Sequence, residues 1–132
     1  MINTIHDHSC IIIAKEREHW LTHMKNDIDF SLFFKALGDN TRQRIINLLL
    51  WYPAIHVNDL SHILAVPQSK ISRHLAVLRT SGWLVFNRRE KWIYYKLNPE
   101  LDPVLLEALK NLFHNHLQFE SDLTNARSVL SL

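Results

Sequence analysis

Apolar residues recur at helical spacing along most of the chain. Phe30, Phe33 and Phe34 follow the i, i+3, i+4 pattern of a helix with one buried face, which continues to Leu37. The next predicted helix is capped by Asp39 or Asn40 and carries Ile45, Leu48 and Leu49. Further helices are predicted over residues 57–64 and 67–80, and an earlier one over about residues 14–25. A proline is favourable in the first turn of a helix, and a glycine often follows its last turn. Pro67 and Gly82 therefore mark the two ends of the 67–80 helix. The pattern predicts a mainly helical chain.

The periodicity changes after Gly82. Residues 83–87 and 91–97 are rich in aromatic and β-branched side chains that alternate with polar ones, and a polar turn separates them. This pattern is typical of a two-stranded hairpin. Its buried face is expected to carry Leu84, Phe86, Ile93, Tyr95 and Leu97. Beyond it, Asp102 and Pro103 make a helix start, and one long final helix is predicted to reach at least Glu120.

Three short helices followed directly by a hairpin give the element order of a winged helix-turn-helix. The predicted fold class is therefore mostly α with a small β-hairpin. We expect residues 29–98 to form this core, residues 1–28 an N-terminal arm and first dimerisation helix, and residues 99–132 a C-terminal dimerisation helix and tail. Apolar steps of four and three predict a helix-pair seam in the last helix. The seam comprises Leu105, Leu109, Leu112, His116, Phe119 and Leu123.

Composition adds a charge argument. The chain has 132 residues, 47 % of them hydrophobic and 21 % charged, which suits one globular domain. The net charge is only +2, yet residues 66–97 carry seven lysines and arginines against one acid, Glu90. Such a concentrated basic stretch is typical of a nucleic-acid binder. A single cysteine, Cys10, and the lack of a signal-peptide or transmembrane pattern predict a cytoplasmic protein with no membrane partner.

The basic stretch places suitable side chains on the predicted 67–80 helix. With Ile71, Leu75 and Leu78 facing inward, its amino-terminal half presents amide, hydroxyl and guanidinium groups that pair with base edges, and Lys70 suits phosphate. Basic residues at the hairpin tip suit the minor groove or the DNA backbone. The candidate interface with double-stranded DNA is Gln68, Ser69, Lys70, Ser72, Arg73, His74, Arg88, Arg89 and Lys91.

Three separated segments, residues 34–42, 68–82 and 89–97, closely resemble the ArsR/SmtB family of winged-helix repressors. The resemblance covers about residues 30–109 and is nearest to the arsenical-responsive branch. It implies a homodimer built on the first and last helices, an inverted-repeat operator, and release of DNA when an inducer binds.

One departure from that branch concerns the inducer. Where the branch carries Cys-Val-Cys-Asp-Leu, this chain has His56-Val57-Asn58-Asp59-Leu60. Neither imidazole nor amide replaces a thiolate for a soft metalloid. We therefore expect no arsenite site of this type and no cofactor.

A metal-responsive repressor is the alternative. His6, His8 and Cys10 of the arm, together with His56, would offer nitrogen and sulfur donors to zinc, copper or nickel. A second family location, Asp-x-His followed by His-x-x-Glu, is only half present, because Val104 stands where the first histidine belongs.

Other function classes fit less well. With two glycines, no phosphate-binding loop and no nucleophile at a strained turn, the sequence does not predict an enzyme. The scaffold alone would also allow a protein-interaction module without DNA. The positive charge on the predicted helix and hairpin favours DNA.

Overall fold

The computed structural model describes residues 28–130. Its elements, in chain order, are α1 (Phe30–Ala36), α2 (Asn40–Trp51), β1 (Ile55–His56), α3 (Val57–Leu64), α4 (Gln68–Thr80), β2 (Leu84–Arg89), β3 (Trp92–Leu97), α5 (Pro103–Phe113) and α6 (Leu117–Leu130). The predicted 14–25 helix and the N-terminal arm lie outside the described residues. Between residues 28 and 130, no helix is both long and apolar enough to span a membrane.

Short polar side chains fix where several helices begin. Asp29 accepts hydrogen bonds from the first backbone N–H groups of α1, Asp39 does so for α2, and Asp102 for α5. These caps satisfy donors that have no partner inside a helix. The turn between α3 and α4 contains Ala65, whose φ of 55° is left-handed and ends α3. Pro67 then leads directly into α4.

The sheet has three antiparallel strands in the order β1-β3-β2. The predicted hairpin is present, and the two-residue strand β1, which the sequence pattern does not reveal, pairs with β3. Leu84 lies opposite Leu97 and is buried, but Phe86, opposite Tyr95, is 45 % exposed, so its predicted burial is wrong. The hairpin extends past the core at this point, and the Arg79 guanidinium lies 5.1 Å from the centre of the Phe86 ring.

The core lies between α1, α2, α3, α4 and the base of the hairpin. Ile71, Leu75 and Leu78 are fully buried, as predicted, and they hold α4 against α2 and α3. The Trp83 ring stacks on Phe33 with centres 4.0 Å apart, and its Nε1–H donates to the Phe33 carbonyl at 2.7 Å. The hairpin is thereby fixed to the start of the domain.

The prediction of one long final helix is wrong. Helix α5 ends at Phe113, Asn115 has a left-handed φ of 69°, and α6 begins at Leu117. A left-handed residue cannot continue a right-handed helix, so the predicted seam is divided between two helices. Helix α6 folds back and packs on α2 and α3. Its Phe119 ring also contacts the Phe113 ring of α5, with the ring centres 4.4 Å apart.

A buried ion pair holds α6 in this place. Arg44 of α2 donates through Nε and Nη2 to the two carboxylate oxygens of Asp122, at 2.8 and 2.9 Å. Nη2 also donates to the Leu64 carbonyl at the end of α3. One guanidinium therefore joins α2, α3 and α6.

Candidate nucleic-acid interface

The amino-terminal half of α4 is an exposed polar surface on a rigid support. Its side chains toward solvent are Gln68, Ser69, Lys70, Ser72 and Arg73. Ser69, Ser72 and Arg73 are spaced i, i+3, i+4 and so form one stripe along the helix. The opposite face is the buried row of Ile71, Leu75 and Leu78, which fixes the direction of the stripe.

His74, the remaining predicted contact on α4, points elsewhere. Its side chain is only 12 % exposed, and its Nδ1 accepts a hydrogen bond from Nη1 of Arg42 at 3.1 Å. Nδ1 also lies 3.8 Å from the Asp39 carboxylate. Its position could have been found from sequence, because it is three residues after Ile71 and four before Leu78, on the buried stripe.

The surroundings of His74 favour the neutral form of its ring. Burial lowers the pKa of His74, and the positive charges of Arg42, Lys70 and Arg73 lower it further, outweighing the opposite effect of Asp39. The pKa of Asp39 is also lowered: burial raises it, but the backbone N–H of Arg42 and the charges of His74 and Arg42 together outweigh burial. A neutral Nδ1 can accept from Arg42, as the geometry requires.

Arg42 is a positioning residue that the sequence analysis did not single out. Its Nε donates to the Ala36 carbonyl at 2.6 Å, while its Nη1 contacts His74. The side chain thus connects the end of α1 to the middle of α4. The sequence held one indication that Arg42 matters: it is the last residue of the 34–42 segment, one of the three that resemble the ArsR/SmtB family.

The hairpin tip forms the second basic surface. Arg88, Arg89 and Lys91 are all exposed, and the turn between the strands contains Glu90 at a φ of 57°. The Lys91 ammonium lies 5.4 Å from the centre of the Trp92 ring. Because successive strand residues face opposite sides, Arg88 and Arg89 offer charge on both faces of the hairpin.

His56 occupies the position of the first family cysteine and is used by the fold. It is 7 % exposed, lies at the end of β1, and its Nδ1 accepts from the backbone N–H of Asn58 at 3.1 Å, which caps α3. Trp92 and Tyr94 pack edge-on against the ring. His6, His8 and Cys10 lie outside the described residues. Within the described part of the chain, no three His, Cys, Asp or Glu residues are grouped to hold a metal ion.

Two helices carry large apolar side chains that nothing in residues 28–130 covers. Phe30, Leu32 and Phe34 of α1 are each more than half exposed. On α5, Val104 and Leu112 are 76 % and 66 % exposed. Such faces are typical of surfaces that bind another protein.

Comparisons with known proteins agree with this geometry. The family model described as "Bacterial regulatory protein, arsR family" matches residues 39–84. The arsenic resistance transcriptional regulator ArsR1 of Pseudomonas putida is 42 % identical over 87 residues, which cover 66 % of this chain and 67 % of that protein. The arsenical resistance operon repressor of Escherichia coli is 46 % identical over 68 residues, covering 52 % and 58 %.

Solved structures show the same architecture. Reduced HlyU from Vibrio cholerae matches with a TM-score of 0.59 at 27 % identity, over 72 % of this chain and 99 % of that one. The transcriptional repressor PagR of Bacillus anthracis matches with a TM-score of 0.55 at 32 % identity, over 64 % and 92 %.

Proposed function

Because the chain belongs to the ArsR family of bacterial regulatory proteins, we propose that it is a cytoplasmic homodimeric repressor that binds an inverted-repeat operator in double-stranded DNA. It is a regulatory protein with a winged helix-turn-helix fold, and not an enzyme. The observation that carries the proposal is the exposed polar stripe of α4 above its fully buried apolar row.

In this proposal the amino-terminal half of α4 enters the major groove. A groove about 12 Å wide admits a helix, and side chains there read the base edges. Arg73 suits guanine, Gln68 suits adenine, and Ser69 and Ser72 suit either as donor or acceptor. His74 acts indirectly, because its contact with Arg42 sets the angle at which α4 is presented.

The hairpin is the wing. Arg88, Arg89 and Lys91 contribute charge without base recognition, because their exposed cations pair with phosphates or enter the minor groove. The wing therefore supplies affinity, while α4 supplies specificity.

The exposed apolar faces of α1 and α5 support dimerisation. Two copies related by a two-fold axis present two α4 helices to successive major grooves, about 34–36 Å apart, and so require an inverted repeat. Covering Phe30, Phe34, Val104 and Leu112 in the partner interface removes exposed apolar side chains from water.

Response to arsenite through the cysteine-type position is not part of the proposal. Only the His56 imidazole and the Asn58 amide stand there, and this donor set does not fit a thiophilic metalloid.

The metal-responsive alternative uses His56 with His6, His8 and Cys10. A histidine that binds a metal through Nε2 normally donates a proton from Nδ1. In His56, Nδ1 accepts from Asn58, so zinc, copper or nickel would have to break the α3 cap to bind there. This argument supports a repressor without a resident cofactor.

The test is fluorescence anisotropy of the dimer on DNA from its own upstream promoter. Arg73→Ala and Ser72→Ala should each weaken specific binding by roughly thirtyfold or more, since a good base contact contributes about 1–3 kcal/mol and the dimer loses two of them. Lys35→Ala on α1 and Ser121→Ala on α6, both at exposed positions, serve as controls. If affinity survives both α4 changes, α4 is not the recognition helix.

The same assay distinguishes the effector alternatives. It is repeated with chelator, then with zinc, copper, nickel and arsenite. Indifference to all four supports the metal-free repressor. Release by one metal that His56→Ala abolishes would establish the metal-responsive form.

A further inference from the structure

A cleft of about 630 Å³ lies where the end of α2, the end of α5 and the helix α6 meet. Aromatic rings of Trp51, Phe113 and Phe119, one from each helix, form its apolar lining. The buried Asn47 amide, which donates to the Phe119 carbonyl at 3.2 Å, adds a polar group. A volume between about 300 and 1,000 Å³ with apolar walls and a few polar groups is typical of small-molecule sites.

The charged side chains around the cleft are mainly positive. Two cations, Lys110 and Arg127, line the cleft together with one carboxylate, that of Glu120. The Lys110 ammonium lies 4.8 Å from the centre of the Trp51 ring and 4.0 Å from Glu107, whose side chain is 70 % exposed. Arg127 is exposed and makes no ion pair with any residue from 28 to 130. A guanidinium available beside aromatic rings is suited to a carboxylate on a flat apolar molecule.

The cleft is separate from the apolar face of α5. Phe113 is nine residues after Val104, which places the two on opposite sides of an ideal helix at 100° per residue. Leu112 lies only about 80° from Val104 by the same geometry. A partner on the Val104 and Leu112 face therefore leaves the Phe113 side open.

The cleft also shares α2 with the candidate DNA-binding surface. Arg42, near the start of α2, contacts His74 of α4, and Trp51, at the end of α2, lines the cleft. These residues are nine positions apart, about 14 Å along the helix. A shift of α2 on ligand binding would thus change the support of α4. A shift of α5 would move the apolar face that carries Val104 and Leu112.

We propose that this cleft binds a small aromatic carboxylate as an effector of DNA binding, a role that rests on the proposed function. The ring lies among Trp51, Phe113 and Phe119, and the carboxylate pairs with Arg127 and Lys110. Because Glu120 repels a second negative charge, the ligand is a monoanion. Occupation changes DNA affinity only as far as the ligand binds the DNA-competent and the DNA-free forms differently.

The binding test uses 1-naphthoate and its neutral isostere 1-naphthamide, titrated without DNA into the dimer of the 132-residue chain and followed by calorimetry. Arg127→Ala or Lys110→Ala should weaken naphthoate binding roughly tenfold, the size of one charge-assisted contact, and leave naphthamide unchanged. Trp51→Ala should weaken both ligands. Lys35→Ala, an exposed cation on α1, is the matched control and should change neither.

Failure of the site is distinguishable from failure of the proposed function. The site is overturned if naphthoate does not bind, or if it binds the Arg127→Ala and Lys110→Ala variants as tightly as the unchanged protein. Naphthoate should also change the affinity for promoter DNA several-fold, and this effect should be lost in Arg127→Ala. Binding without that change overturns the effector role. A dimer that binds naphthoate but no DNA overturns the proposed function and the effector role with it, and leaves the ligand site standing.

Discussion

Arg42 and His74 join the start of α2 to the middle of α4 through one hydrogen bond of 3.1 Å, with the guanidinium as donor and Nδ1 of the ring as acceptor. The same guanidinium holds the Ala36 carbonyl at the end of α1. A protonated His74 has no lone pair on Nδ1 and would bring a second positive charge against Arg42. The position of α4 therefore depends on a neutral ring.

This contact predicts a pH dependence of stability. Burial keeps the pKa of His74 below the ordinary histidine value of about 6.5, so the unfolded chain binds this proton more readily. Stability should therefore fall as pH drops below about 6.5 and level off once pH is below the folded-state pKa. His74→Asn, whose amide oxygen can still accept from Arg42, should show a smaller difference in Tm between pH 7.5 and 5.5.

Circular dichroism melts of both proteins across this range provide the measurement. The lowered pKa of Asp39 does not interfere, because its contribution is lost only as pH falls below the ordinary aspartate value of about 3.9. An identical pH profile for the two proteins would show that His74 does not titrate in this window.

The wing predicts a change in salt dependence. Arg88→Ala with Arg89→Ala should weaken binding to specific and random DNA alike. It should reduce the slope of log K against log salt by up to about 3.6, since each phosphate contact contributes about 0.9 and a dimer loses four of them. Anisotropy between about 50 and 200 mM salt measures the slope. Lys35→Ala is the control, and an unchanged slope in the double variant would remove the wing from the interface.

The apolar face of α5 predicts the effect of a charge on assembly. Leu112→Glu should weaken the dimer roughly a hundredfold or more, because each buried leucine contributes about 1.5–3 kcal/mol and a two-fold interface loses two of them. Analytical ultracentrifugation over a concentration series gives the constant. Leu117→Glu is matched, because Leu117 is 85 % exposed at the start of α6. A dimer weakened equally by both changes would place the interface elsewhere.

The Arg44 and Asp122 pair predicts a large loss of stability from a single change. Asp122→Ala leaves a guanidinium that is only 13 % exposed without its carboxylate, and should lower the free energy of unfolding by about 3–5 kcal/mol. Urea denaturation measures the loss. The control is Glu107→Ala, at an exposed pair that should contribute less than about 1 kcal/mol. Arg44→Met with Asp122→Leu should recover most of the loss, and failure to do so would mean that the pair itself is required.

Ala65 predicts a gain in stability. Its φ of 55° is unfavourable for a residue with a Cβ, so Ala65→Gly should raise the free energy of unfolding by about 0.5–1 kcal/mol. The matched change Ala76→Gly, in the exposed middle of α4, should lower it by about 1 kcal/mol. The same denaturation curves give both values, and equal effects of the two changes would contradict a left-handed Ala65.

The parts of the fold that depend on neighbouring residues could be predicted from the sequence. The buried row of α4 and the hairpin follow from periodicity within ten or so residues. Two features depend on distant contacts and could not. Strand β1 has only two residues and exists because β3 pairs with it. The break at Asn115 is hidden because the apolar steps before and after it remain in phase.

The candidate site shows the same division. Exposure of Gln68, Ser69, Ser72 and Arg73 follows from their spacing relative to Ile71, and was predicted. The role of Arg42 requires knowing that α2 and α4 cross, which no local pattern contains. The cleft is still harder to predict from the sequence, because it forms only where three helices meet and depends on the pairing of Arg44 with Asp122.

That pairing joins positions 78 apart, and this separation has a consequence for synthesis. At about 5–20 residues per second, Asp122 is made roughly 4–16 s after Arg44. The helices that support α4 and the whole hairpin are complete before α6 exists. During this interval Arg44 remains hydrated, and the surface that α6 later covers is open on the nascent chain. Helix α6 can therefore dock only after α2 and α3, the helices that it packs against, have been made.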